Sequence, residues 1–127
     1  MSWIYDAHIH LSDSEYKSDI DMILNYMDLL KIKACCVSMD LETSHETMNL
    51  YEKSKNVLPF IGIHPEMAQK TAESVYEMIE EKHDKISGIG EIGLDRTYIG
   101  SDEEWNVQKD VPAFLNQDIP AQSPQQT

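Results

Sequence analysis

The feature that most constrains this chain is an alternation of two patterns. Short apolar runs of strand length take turns with longer stretches whose apolar residues recur at helical spacing. Residues 3–10, 34–39, 57–63 and 86–92 read as strands. Ile20, Ile23, Leu24, Met27 and Leu30 mark the stripe of one helix, Met48 and Tyr51 that of a weaker one over 44–54, and Val75, Met78 and Ile79 that of a third over 71–84. Ser18 with Asp21 reads as a loose capping box for the first helix. Ser101 with Glu104 reads as another, opening a helix that includes Trp105 and Val111. Four strands in strict alternation with helices imply a parallel sheet with helices packed on it. A doubly wound sheet and a β/α barrel both satisfy the pattern.

Composition removes several classes of function. At 127 residues, 41% hydrophobic and 26% charged, the chain has material for one folded domain with a core. No apolar run approaches the roughly 20 residues of a membrane span. Asp6 breaks the first apolar segment, so a secretory signal is not expected. Cys35 and Cys36 are neighbours on a strand and point to opposite faces, so they are read as reduced thiols of a cytoplasmic protein. A formal charge of −13 is the wrong sign for a protein that coats nucleic acid. A phosphate-bearing substrate would have to be drawn in locally.

The first strand carries the chemistry. With a period of two, Ile4, Asp6, His8 and His10 share one face, and Tyr5, Ala7 and Ile9 the other. A carboxylate and two imidazoles in a row, on a strand expected to be buried on both sides, are costly unless they bind metal or pair. Two histidines at i and i+2 can reach one cation, whereas a lone histidine is more often a satisfied core residue. The third strand ends Gly62-Ile63-His64-Pro65, and the fourth runs into Gly90-Glu91-Ile92-Gly93-Leu94-Asp95. In parallel α/β proteins ligands bind beyond the carboxyl ends of the strands, where His8, His10, His64, Glu91 and Asp95 all fall. His45 and His83 lie on helices among polar neighbours and read as solvated.

The combination Asp6-Ala7-His8-Ile9-His10, Gly62-Ile63-His64-Pro65 and Gly90-Glu91-Ile92-Gly93-Leu94-Asp95 resembles the TatD deoxyribonuclease family of the metal-dependent hydrolase superfamily. The resemblance covers residues 1 to about 111. It implies a TIM-type β/α barrel and phosphodiester hydrolysis, with DNA as the expected substrate. It also implies a centre of two divalent ions, with Zn²⁺ or Mn²⁺ better suited to imidazole ligands than Mg²⁺. By the same resemblance His8 and His10 hold one metal, Glu91 bridges to the second, and His64 lines the substrate pocket. Asp6 and Asp95 are supporting groups.

The family pattern continues through four more strands that supply further histidines and a late aspartate acting as base. No histidine follows His83 here. The expectation is therefore an incomplete barrel, the first four βα units of eight, with half of the metal site and little activity of its own. Its open sheet edges would favour self-association or capture of a missing C-terminal half. Residues 1–111 are taken as the family domain. Residues 112–127, which hold Pro112, Pro120 and Pro124 and a single charge at Asp118, are taken as a disordered tail foreign to it. A break inside a helix at Pro112 points to a frameshift, a truncation or a split gene. Two other functions fit the same residues: hydrolysis of a different ester or amide, and an inactive fragment that binds metal or a partner.

Overall fold

A computed structural model describes residues 2–97 and 100–118, with the backbone alone at 69–71 and 112–118. Its strands are β1 (Ile4–Ile9), β2 (Ile32–Cys36), β3 (Val57–Ile61) and β4 (Gly88–Ile89); its helices are α1 (Ile20–Leu29), α2 (Leu41–Lys53), α3 (Ala68–Lys82) and α4 (Asp102–Asp118). Short 3₁₀ turns at Ser14–Asp19 and Pro65–Met67 lead into α1 and α3. All the strands are parallel, in the order β1-β2-β3-β4, each joined to the next through a helix. The alternation called for a parallel sheet, since parallel neighbours need a crossover and the helix supplies it, and the half-barrel arrangement is the one that the family resemblance implied.

The core lies between the sheet and its helices. Around β1 and β2 it consists of Leu11, Leu24, Met27, Ala34, Cys36, Leu50 and Val57. Around β3 it consists of Met48, Ile61, Ile63, Ala68, Val75, Met78, Ile79 and Val111. The helical stripes read from the sequence face the sheet except at Leu30, which is the C-cap of α1 and 61% exposed, because the helix has ended before it. On the other face Cys35, Leu58 and Phe60 are half-buried.

Several expectations need correction. β1 was expected to be buried on both sides, but it pairs only with β2 and its residues 4–8 are exposed, Ile4 at 63% and Tyr5 at 61%. The strict alternation from Ile4 to His10 also fails. Asp6 pairs with Ala34 but Ile9 with Cys36, so the register slips by one between them. A slip of one residue exchanges faces, and Ile9 joins the helix-side core while Asp6 need not follow the histidines. Ser18 caps nothing at α1, whose N-cap Asp19 makes no side-chain bond. Asp13 instead caps the preceding 3₁₀ turn through Glu15 N–H. β4 has only two residues, because the chain after Ile89 leaves the ladder for Ser38 and Ile63.

Pro112 does not end α4, which continues to Asp118. Proline removes one helical hydrogen bond and clashes with the preceding turn, at a cost of about 3 kcal/mol. That local penalty is opposed by packing: Val111 is 4% exposed in the core and Val107 packs beside it. The helix thus passes through Pro112, where the sequence suggested that its regular pattern stops. Residues 119–127 of the expected tail lie outside the described residues.

Cys36 supplies a test of this core. Burial, with the charges of Cys35 and Asp6 behind it, pushes its thiol from 9.0 up to about 12. Between those values only the unfolded chain releases the proton, so rising pH favours unfolding. Denaturant titrations should show stability falling from about pH 9 toward 12. A Cys36→Ala variant should lose that slope.

Candidate metal centre

His8 lies within β1 and His10 one residue beyond it. Leu11, 2% exposed, plugs the helix-side core and fixes where the strand turns away. The two imidazoles meet edge to face, with centroids 5.0 Å apart and planes at 70°. Their Nε2 atoms are 3.2 Å apart. Asp6 does not join them; its Oδ1 accepts from the His8 backbone N–H at 3.0 Å and holds the strand where the register slips.

Glu91 arrives by a less direct route. After β4 the chain turns back across the end of β3. Gly90 N–H donates to Ile61 O at 3.0 Å, and Ile63 N–H donates to Glu91 O at 2.8 Å. Beyond β3 it reaches the residue two past the end of β2: Ser38 N–H donates to Gly90 O at 3.2 Å, and Glu91 N–H to Ser38 O at 2.8 Å. Gly62 makes the crossing possible, because a Cβ there would overlap the Glu91 carbonyl oxygen and the Gly90 carbonyl carbon. Ser38 is itself fully buried and its hydroxyl donates to Thr47 on α2 at 2.9 Å. Thr47 in turn donates to Thr43 O at 2.8 Å. The helix start thus sets the position of Ser38, and Ser38 sets that of Glu91.

The crossing carries the Glu91 carboxylate to 3.3 Å from His10 Nε2. Among the described residues, His8, His10 and Glu91 form the one group whose ligand atoms all lie within 4.8 Å of each other. Glu91 Oε2 is buried and makes no hydrogen bond, so its approach to His10 is proximity without alignment. A buried, unpaired carboxylate oxygen facing two converging imidazole nitrogens is poor packing for a protein and a good donor set for a divalent ion. Two imidazoles and a carboxylate fit such a group.

His64 stands apart from these three. It caps the 3₁₀ turn, its Nδ1 accepting from Glu66 N–H at 3.3 Å, with the Glu66 carboxylate 3.7 Å away. With Nδ1 accepting, the neutral ring carries its proton on Nε2 and presents a donor. The Asp95 carboxyl is held below its ordinary range, first by the hydrogen bond from the Thr97 hydroxyl, next by Thr97 N–H, and more weakly by the charge of His64, against slight desolvation. Asp95 is therefore a neighbour of His64 and a loop-holding group rather than part of the three-residue cluster.

Two residues that mattered were not visible in the sequence. Ser38 follows an apolar strand and shows no motif. Gln108, 2% exposed on α4, accepts from Asp95 N–H through Oε1 and donates to Asp95 O through Nε2, both at 2.9 Å. It clamps the loop after Glu91 to the helix. A buried glutamine on an otherwise apolar stripe was the only available sign. His45 is exposed, and His83 is exposed with Nδ1 2.9 Å from Glu80 O, as solvated histidines would be.

Comparison with known proteins places this geometry in context. The profile of the TatD related DNase family matches residues 5–117. The TATDN3 protein of Mus musculus is 33% identical over 122 residues, covering 85% of this chain and 42% of that protein. YabD of Bacillus subtilis, an uncharacterised metal-dependent hydrolase, is 30% identical over 117 residues, covering 90% of this chain and 44% of its own. The crystal structure of YjjV, a TatD homologue from Escherichia coli, superposes with a TM-score of 0.68 at 22% identity, over 85% of this chain and 43% of that one. The likeness to YjjV shows the fold. The chain spans a little over two fifths of the length of the relatives it matches.

The crossing over Gly62 and the loop at Asp95 can both be checked. Gly62→Ala should cost about 1–3 kcal/mol in denaturant unfolding, the penalty for forcing atoms into a filled space. Asp95 should stay ionised, and the Thr97 amide signal should titrate with a midpoint below 3.8. An amide that titrates above that value would remove the Asp95–Thr97 contact from the folded state.

Proposed function

This chain belongs to the TatD related DNase family, and we propose that His8, His10 and Glu91 are its share of a divalent-metal centre for phosphodiester hydrolysis. The observation that carries the reading is the Glu91 oxygen, buried and unpaired opposite two imidazole nitrogens. A bound Zn²⁺ or Mn²⁺ would supply Lewis acidity and an acidified water. The chain's own residues have other tasks. His8 and His10 present neutral Nε2 lone pairs, which requires each ring to carry its proton on Nδ1. Glu91 offers its free oxygen from a backbone fixed on two sides. His64 directs an N–H donor toward the same end of the sheet, suited to an oxygen of the substrate. Asp6 holds the strand that carries the histidines, and Asp95 holds the loop that follows Glu91.

The human relative named deoxyribonuclease TATDN3, 27% identical over 122 residues, supports DNA as the substrate class. The described residues bring three candidate ligands together and place no carboxylate or imidazole beyond them in that cluster, so the 127-residue chain should turn over DNA slowly. A different ester or amide substrate would suit the net charge of −13 better.

Calorimetric titration with Zn²⁺ should give one ion per chain. His8→Ala with His10→Ala, or Glu91→Gln alone, should weaken that binding at least tenfold. Unchanged affinity in the double variant would remove the ligand assignment. Residual metal-dependent cleavage should appear on single-stranded DNA and not on p-nitrophenyl acetate; the reverse preference would transfer the site to ester hydrolysis.

We also propose that β1, exposed with one pairing edge open, mediates self-association. Sedimentation velocity should show species larger than a monomer. A Tyr5→Lys variant should shift the distribution toward monomer.

A further inference from the structure

Arg96 is the only arginine of the chain. It belongs to the segment after β4, at the end of the sheet where His8, His10 and Glu91 meet. The lysines are distributed otherwise. Lys31, Lys33, Lys53, Lys55, Lys82 and Lys85 lie where strands begin, at the opposite end. Lys31 and Lys33 cover Trp3 there, 5.2 and 4.9 Å from its ring centre. Lys17 lines a cleft that it shares with Asp13, Glu42 and Glu46. A strand of phosphates approaching the metal group of a chain of charge −13 thus meets Arg96 as the cation carried by the same segment as Glu91, with Lys109 exposed farther along α4.

Its placement is controlled. Gln108 holds the Asp95 backbone by two hydrogen bonds of 2.9 Å, and Asp95 Oδ1 accepts from Thr97 N–H at 2.8 Å, so both flanks of Arg96 are fixed. The guanidinium lies 4.9 Å from the Trp105 ring centre, and Nη2 is 3.0 Å from Asp102 Oδ1. Arg96 is 60% exposed and Asp102 is 91% exposed. An ion pair this open adds little to stability, so it does not by itself account for the arrangement. What the arrangement does provide is a planar fork of N–H donors, steadied on an aromatic face, with one edge lightly occupied by a carboxylate that can swing away.

We propose that Arg96 grips a phosphate of the substrate strand, a few nucleotides from the one at the metal group, displacing Asp102 as it does so. The inference rests on the phosphodiester reading above. A guanidinium fork matches two phosphate oxygens in a way that a lysine does not. Arg96 lies five positions after Glu91, at most roughly 17 Å of extended chain, a distance that a short single strand spans. The Asp102 contact then acts as a placeholder that neutralises Arg96 until an anion with two oxygens replaces it.

The test is fluorescence anisotropy of a short labelled thymidine oligonucleotide with the Mn²⁺-loaded chain across a salt series. Arg96→Ala should weaken binding about tenfold and lower the log–log salt slope by about 0.7, the value for one phosphate contact on a single strand. Arg96→Lys should restore the slope but only part of the affinity. Asp102→Asn should tighten binding severalfold, since it frees the guanidinium; a merely structural pair predicts no gain. Thermal midpoints matching the unaltered chain would confirm that all three variants are folded. Metal-dependent binding indifferent to Arg96→Ala, or weakened by Asp102→Asn, overturns the proposal and leaves the phosphodiester reading intact. No oligonucleotide binding by the unaltered metal-loaded chain overturns both.

Discussion

The structure turns on one close approach: the backbone of Gly90 and Glu91 lying directly against Gly62. Without it the segment after β4 would stay beside β3, as the ladder directs, and its carboxylate would point away from the histidines. Because Gly62 has no Cβ, the segment crosses the end of β3 and bonds to Ser38 beyond β2. Two strand spacings, about 9–10 Å, are covered in this way. The group on the fourth strand thereby meets groups on the first. The candidate metal cluster is thus a product of backbone packing, and only secondarily of the side chains that form it.

That crossing needs a rigid support, and the support is polar. Ser38 is buried and its hydroxyl donates a hydrogen bond to Thr47, which in turn donates to the first turn of α2. The same turn is closed by the Asp40–Thr43 capping box, and Met39 N–H donates to Thr43 Oγ1 at 2.9 Å. Every link in the chain from helix cap to Glu91 is a satisfied hydrogen bond until the last atom. Buried polar networks rigidify when they are complete. Here completeness stops at Glu91 Oε2. The protein fixes the carboxylate firmly and leaves its oxygen without a partner, which is the arrangement a ligand for a cation requires.

The sequence made the strand order legible because each element carries its own local period. It made His8 and His10 legible because a spacing of two survives the slip that separates them from Asp6. It placed Glu91 at the correct sheet end, but the route to His10 depends on contacts between residues 62, 38 and 91, far apart in sequence, and no local pattern encodes them. Asp6 was put on the histidine face because alternation cannot reveal a bulge. Pro112 was overrated because helix propensity is local, whereas the burial of Val111 is decided by α3 and β3. Gln108 was passed over because a glutamine on a helix is normally solvated, and only the structure shows both ends of its amide taken by one backbone residue.

The exposure of β1 has a related origin. Its outer residues Ile4 and Tyr5, the α1 residues Met22, Tyr26 and Leu29, and Leu30 just after that helix are all more than half exposed. Singly, exposed apolar residues mean little; gathered on an edge strand and the helix that follows it, they amount to an unpaired flank of the sheet. The histidines sit on that same strand. Two candidate ligands carried on an open edge hold their geometry less firmly than they would inside a closed barrel, since β1 is restrained from one side only. The relatives are more than twice as long, which gives this flank a natural means of cover in them. The ligand from β4 is over-determined by its backbone contacts, and the ligands from β1 are under-determined by theirs. Affinity for a metal should therefore be limited by the freedom of the first strand, not by the donor set.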